Sequence, residues 1–91
     1  MPTIDIRRDH ALSLKAARAV VERVAIVIGE EYGIDHHWDG HTLHFERSGV
    51  DGHIAIAKRE IHVHARLGLL MGMMTPVIER EIERRLDAEL G

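Results

Sequence analysis

Ninety-one residues with a formal charge of −3 and no cysteine define one domain and exclude disulfides, thiolate metal sites and a cysteine nucleophile. The slight acidity argues against a nucleic-acid partner, because neutralising phosphates needs clustered Lys and Arg. Hydrophobic residues make up 45% of the chain, but Trp, Tyr and Phe occur once each, so the core is built from Ile, Val, Leu, Ala and Met. Area scaling has a chain of this size bury roughly 60–65% of its unfolded surface, a thin margin that makes a homodimer a reasonable partner state. Eight histidines are present, and protonating all of them would carry the formal charge from −3 to +5, so solubility and association should change near pH 6. The N-terminus has no apolar leader pattern. The longest apolar run, Leu67 to Met74, is too short for a transmembrane segment, so the expected location is cytoplasmic.

In chain order, Thr3 to Arg7 alternates with the period of a half-buried strand, Ile4 and Ile6 facing inward. A helical pattern runs from about His10 to Tyr32, with a wide apolar stripe of Leu12, Ala16, Ala17, Val20, Val21, Val24, Ala25, Val27 and Ile28. Asp9 and Ser13 are both candidate caps at its start, and Gly33 suits a left-handed cap at its end. Trp38-Asp39-Gly40-His41 predicts a hairpin with Asp39 and Gly40 as a type I′ loop. That pairing sets Trp38 against His41, His36 against Leu43 and Ile34 against Phe45. Ser48 to Gly52 reads as the next turn, His53 to Lys58 as a strand, Arg59-Glu60 as a tight turn and Ile61 to Leu67 as the last strand. After the glycine-interrupted apolar segment Leu67–Met74, Thr75 reads as an N-cap and Pro76 as the first helical residue. Ile78, Ile82, Leu86 and Leu90 then form a narrow helical stripe.

The expected fold is α+β and two-layered, with element order β-α-β-β-β-β-α. An antiparallel sheet of about five strands carries both helices on one face.

The chain resembles the small polyhydroxyalkanoic acid system proteins, bacterial proteins associated with polyhydroxyalkanoate synthesis and granule genes. The resemblance rests on Ile4-Asp5-Ile6 with His10 and Leu12, Lys15-Ala16-Ala17-Arg18, and Trp38-Asp39-Gly40 leading into Leu43 and Phe45. It continues through Gly49-Val50-Asp51-Gly52, Leu67-Gly68-Leu69-Leu70, and Ile78-Glu79 to Leu86 and Leu90. The methionine-rich Met71–Met74 segment departs from the family pattern. The resemblance implies a link to polyester granules and assigns no catalytic residue.

Three groups of residues are candidates for function. Leu69, Leu70, Met71, Met73 and Met74 suit an adaptable contact with a granule or a granule protein, or else cap the open end of the core. His36, Trp38 and His41 form a sheet rim that is either amphipathic surface or the mouth of a small-ligand pocket. His37, His44, His53, His62 and His64 fall on the sheet face away from the helices. The expected pairing sets Asp35, His44, Ala55 and His64 in one row, His37, Thr42, Ala57 and His62 in the next, and His53 near Glu46. Ala55 and Ala57 would then form a shallow trough. His44 and His64, a strand apart, stand roughly 9–10 Å from one another, too far to share a zinc ion at about 2.0–2.1 Å. His62 and His64 make an incomplete pair. The face therefore reads as a polar or associating surface before a metal site, and no metal or cofactor is called for.

Three functions follow: a non-enzymatic binding protein of granules or granule proteins, a carrier of an acyl chain between sheet and long helix, or a histidine-based metalloprotein or small enzyme. Against catalysis, no nucleophile–base spacing, phosphate loop or zinc-protease helix is present.

Overall fold

A computed structural model describes residues 2–90, apart from the side chain of Leu70. The element order is β1 (Thr3–Asp9), α1 (Leu14–Tyr32), β2 (Asp35–Asp39), β3 (Thr42–Arg47), β4 (Val50–Ile56), β5 (Glu60–Leu67), α2 (Leu69–Gly72) and α3 (Thr75–Leu90). The strands form one antiparallel sheet in the order β1-β5-β4-β3-β2. This is the expected α+β architecture, with the single turn α2 added between sheet and last helix.

Both long helices lie on one side of the sheet because their apolar stripes have one place to go. Ala17, Val20, Val21, Val24, Ala25 and Ile28 of α1 and Ile78, Ile82 and Leu86 of α3 are buried. They meet Ile4, Ile6, Leu43, Ile54, Ile56, Ile61, Val63, Ala65 and Leu67 from the sheet. The other sheet face is left to polar side chains.

Helix α1 starts later than its apolar pattern does. Ser13 is the cap, its hydroxyl accepting from the Ala16 N–H at 3.1 Å. The preceding residues are claimed by the sheet: β1 continues to Asp9, opposite Glu60, and the His10 N–H donates to the Arg59 carbonyl at 2.9 Å. The buried His10 ring accepts from the Leu12 N–H at Nδ1 (3.1 Å), which leaves Nε2–H to donate to the Ala57 carbonyl at 2.9 Å. Gly33 closes the helix at φ 67° as expected. Thr75 does not act as a cap. Ile78 N–H bonds to the Met74 carbonyl at 2.9 Å, so Thr75 is already helical, and its buried hydroxyl has no hydrogen-bond partner among the described residues.

The strand register differs from the expected one by two residues throughout. Trp38 pairs with Leu43 and His36 with Phe45, because the hairpin loop is Gly40-His41. Only glycines have positive φ in the described chain, and Gly40 is at 62°. Asp39 therefore stays in the strand, and glycine leads the loop, the preference of a type II′ rather than a type I′ turn. The next turn is likewise shorter than expected. Gly49 supplies the positive φ at 87°, and Val50 pairs back with Arg47 at once. Gly52 is a strand residue, opposite Phe45. Strand β4 thus ends at Ile56, and its connection to β5 occupies Ala57 to Arg59, closed by Ala57 N–H to the Glu60 carbonyl at 2.8 Å.

A slip of two residues leaves every side chain on its expected face, since side-chain direction alternates with period two. It does change which residues stand side by side.

Candidate functional site

The observed register assembles four of the five outward histidines into a single row, with His62 in the row beside it. His37 pairs with His44, His44 with His53, and His53 with His64, and Asp5 of β1 continues the row. Ala55, expected beside His44, instead lies between Thr42 and His62. Ala57 lies outside the strand, so the expected trough reduces to Ala55. Successive ring centroids are 5.3 Å (His37–His44), 6.2 Å (His44–His53) and 5.6 Å (His53–His64) apart. His62 turns its edge to His64 at 6.4 Å and donates from Nε2 to Asp5 Oδ1 at 2.7 Å. That hydrogen bond holds the Asp5 carboxyl below its usual range. Among the described residues, no group of three or more His, Asp or Glu side chains is placed, as it stands, where it could hold a metal ion.

His53, in the middle of the row, is pushed below the usual histidine range. Burial is the main cause, followed by the charges His64, His44 and His62 would carry; Asp51 opposes them. An unfolded chain therefore binds a proton at this position more readily than the folded one. Stability from this group is present above the ordinary histidine value of about 6.5 and is lost as pH falls toward the depressed folded value. The urea midpoint should drop between pH 7.5 and 5. His53→Gln should flatten that slope, and an unchanged slope in the variant would show that the burden lies elsewhere.

The rim residues sit under the first half of α1. His36 donates from Nε2 to both Glu22 carboxylate oxygens, at 3.0 and 3.1 Å. Trp38 Nε1–H adds a longer contact to Glu22 Oε2 at 3.4 Å. These bonds, His36 first, hold the Glu22 carboxyl below its usual range. Arg18 lies over the Trp38 ring at 4.2 Å and donates to the Gly40 carbonyl at 2.9 Å, a cation–π contact tied to the hairpin loop. His41 occupies that loop and, with Lys15, Arg18, Glu22 and Trp38, lines an open shallow depression. Sequence reasoning placed His36, Trp38 and His41 together but missed Glu22 and Arg18. Their spacing of four put them on one helix face, and nothing in the pattern showed which strand that face would meet.

Between α1, α3 and the sheet lies an apolar cavity of about 30 Å³, bordered by Val24, Ile28, Phe45, Ile54, Leu67 and Ile82 among others. That is space on the scale of one water molecule. An acyl chain needs more room than that space offers as it stands.

At the other end of the sheet, α2 divides the apolar segment. Met71 and Met74 pack against the core, Met71 lying over Gly49. Leu69 and Met73 project outward, 96% and 89% exposed. Leu70's side chain lies outside the described residues. The turn is pinned from below by Gly68 N–H to the Gly49 carbonyl at 2.8 Å and Leu67 N–H to the Pro2 carbonyl at 3.0 Å.

The family described as "Putative polyhydroxyalkanoic acid system protein" matches residues 4–90. The chain belongs to this family. All three groups of candidate residues in this polyhydroxyalkanoic acid system protein lie within the matched span. Comparison with curated proteins and with solved structures gives no match. No helix among the described residues is long and apolar enough to cross a membrane.

Proposed function

We propose that this polyhydroxyalkanoic acid system protein is a non-enzymatic binding protein that docks on granules or on the proteins at their surface through the α2 tip. The observation that carries the reading is the pair Leu69 and Met73, large apolar side chains left in water at one end of the sheet. Met71 and Met74 behind them are anchored in the core, so the tip is held rather than loose. Burying a Leu and a Met contributes about 1.5–3 kcal/mol each. Together that is about 3–6 kcal/mol, which corresponds to dissociation constants from about 6 mM to about 40 μM. The contact is therefore weak and reversible per copy. The protein divides between a cytoplasmic pool and a granule-bound pool.

In a granule-producing cell the wild type should co-sediment with granules, and Leu69→Glu with Met73→Glu should reduce the bound fraction about tenfold. A wholly soluble wild type would overturn the reading. Protein-free polymer particles separate the two targets: binding to native granules alone makes a granule protein the partner.

A further inference from the structure

We infer that His53, His62 and His64 form a site for one divalent transition-metal ion of the zinc type, with Asp5 as the group that orients His62. The site comes from four outward positions on two neighbouring strands. His53 stands directly opposite His64, and Ala55 directly opposite His62. Three corners of this block carry imidazoles and the fourth carries a methyl group. The small corner, Ala55, carries no side chain that reaches across the other three. Three histidines with one open position is a recognised zinc coordination set.

Two of the three ring separations are close to what such a set needs, and the third pair, His53 and His62, is diagonal across the two strands, about 7–8 Å apart. At zinc–nitrogen distances of about 2.0–2.1 Å and tetrahedral angles, ring centres stand about 5 Å apart. His53 and His64 are at 5.6 Å, His62 and His64 at 6.4 Å. Closing the set takes ring rotations. The contacts of His53 and His64 are with neighbouring imidazoles, so little is lost when those rings turn. The rest of the row does not join, because His44 and His64 lie on opposite sides of β4, about two strand spacings apart.

Asp5 supplies the second, independent argument. It accepts from His62 Nε2–H at 2.7 Å, which leaves the Nδ1 lone pair of a neutral ring for the ion. A carboxylate behind a ligating histidine fixes its tautomer and orientation in many metal sites. The nearby cations are occupied or offset: Arg7, opposite His62, pairs with Glu60 at 3.0 Å, and Arg66 stands opposite Asp51.

The test is calorimetric titration of the full chain with Zn²⁺ at pH 7.5 in a non-chelating buffer. Co²⁺ absorption reports the geometry, and histidine ring NMR signals report the location. One ion per chain is expected, with tetrahedral Co²⁺ bands and signal changes centred on His53, His62 and His64. His53→Gln and His64→Gln should each lower affinity at least tenfold, and Asp5→Asn by about tenfold. His37→Gln should stay within twofold of the wild type. Equal small losses for every histidine variant, perturbation of all five outward rings, or dimerisation on adding metal would overturn the site. The NMR readout uses the wild type alone, so it stands even if a variant misfolds.

Discussion

Replacing Gly52 by alanine should destabilise the protein by about 1–3 kcal/mol or more, and valine should leave no folded chain. A Cβ at this position would sit 2.6 Å from the His64 carbonyl oxygen, 2.6 Å from Phe45 Cζ and 2.8 Å from the Ala65 Cβ. The Phe45 ring lies across the strand where Gly52 has no side chain. Adding a methyl there therefore competes with a half-buried aromatic and with the backbone of β5. The ring tip can swing away, but the carbonyl belongs to the ladder between β4 and β5 and moves only if pairing is lost. In an open strand the same change would stabilise by roughly 0.5–1 kcal/mol, since glycine is a poor strand residue. The two effects thus have opposite sign, and the overpacking term is the larger. A chain of this length has about 5–14 kcal/mol to lose. Urea denaturation of Gly52→Ala, alone and with Phe45→Leu, measures both parts. The double variant should recover only the portion due to the ring. Full recovery would mean the carbonyl contact costs nothing, and an unchanged midpoint in the single variant would refute the account.

Gly52 also shows how far the sequence could be read. Glycine after Val50-Asp51 resembles a turn signal, and that reading moved the start of β4 to His53. What Gly52 accommodates is an aromatic ring from the neighbouring strand, a tertiary contact with no local signature. Asp39-Gly40 misled in the same way: the dipeptide announces a hairpin correctly, but which two residues form the loop depends on whether Asp39 adopts positive φ, and it does not. Each error moved the register by two residues. Face assignments survived because they depend on alternation, so the core of Ile4, Leu43, Ile54, Val63 and their neighbours was legible. Row assignments depend on absolute register, so the alignment of His37, His44, His53 and His64 was hidden. The block of His53, His62, His64 and Ala55 was hidden for the same reason. The apolar tip was legible as a segment. Its division into anchored Met71 and Met74 and projecting Leu69 and Met73 needed the one-turn helix α2, too short to leave a periodic trace.

Leu86→Ala should cost about 2–5 kcal/mol and lower Tm on the order of 10–30 °C. Helix α3 has two kinds of attachment. Arg8 on β1 donates to Glu83 at 2.9 Å and Asp87 at 3.1 Å, and Arg23 on α1 grips both oxygens of Glu89 at 2.7 and 2.8 Å. The other is the stripe Ile78, Ile82 and Leu86, of which Leu86 is 0% exposed. The ion pairs look numerous, but they are solvated and contribute about 0–1 kcal/mol each. The stripe is narrow, with one residue per turn, so no neighbour takes over when Leu86 is truncated. Arg8→Ala and Arg23→Ala should therefore each shift stability by less than about 1 kcal/mol. If either matched Leu86→Ala, charge rather than burial would hold the helix. Hydrogen exchange distinguishes how the loss is expressed. Protection lost in α3 alone would mean the helix undocks while the sheet and α1 persist. Loss shared with β1, which Arg8 ties to α3 and whose Ile4 lies in the same core, would mean the helix is part of one cooperative unit. The second outcome is expected, because Ile78 and Ile82 border the same cavity as Ile4, Val24 and Ile54, and withdrawing α3 would open that apolar wall to water.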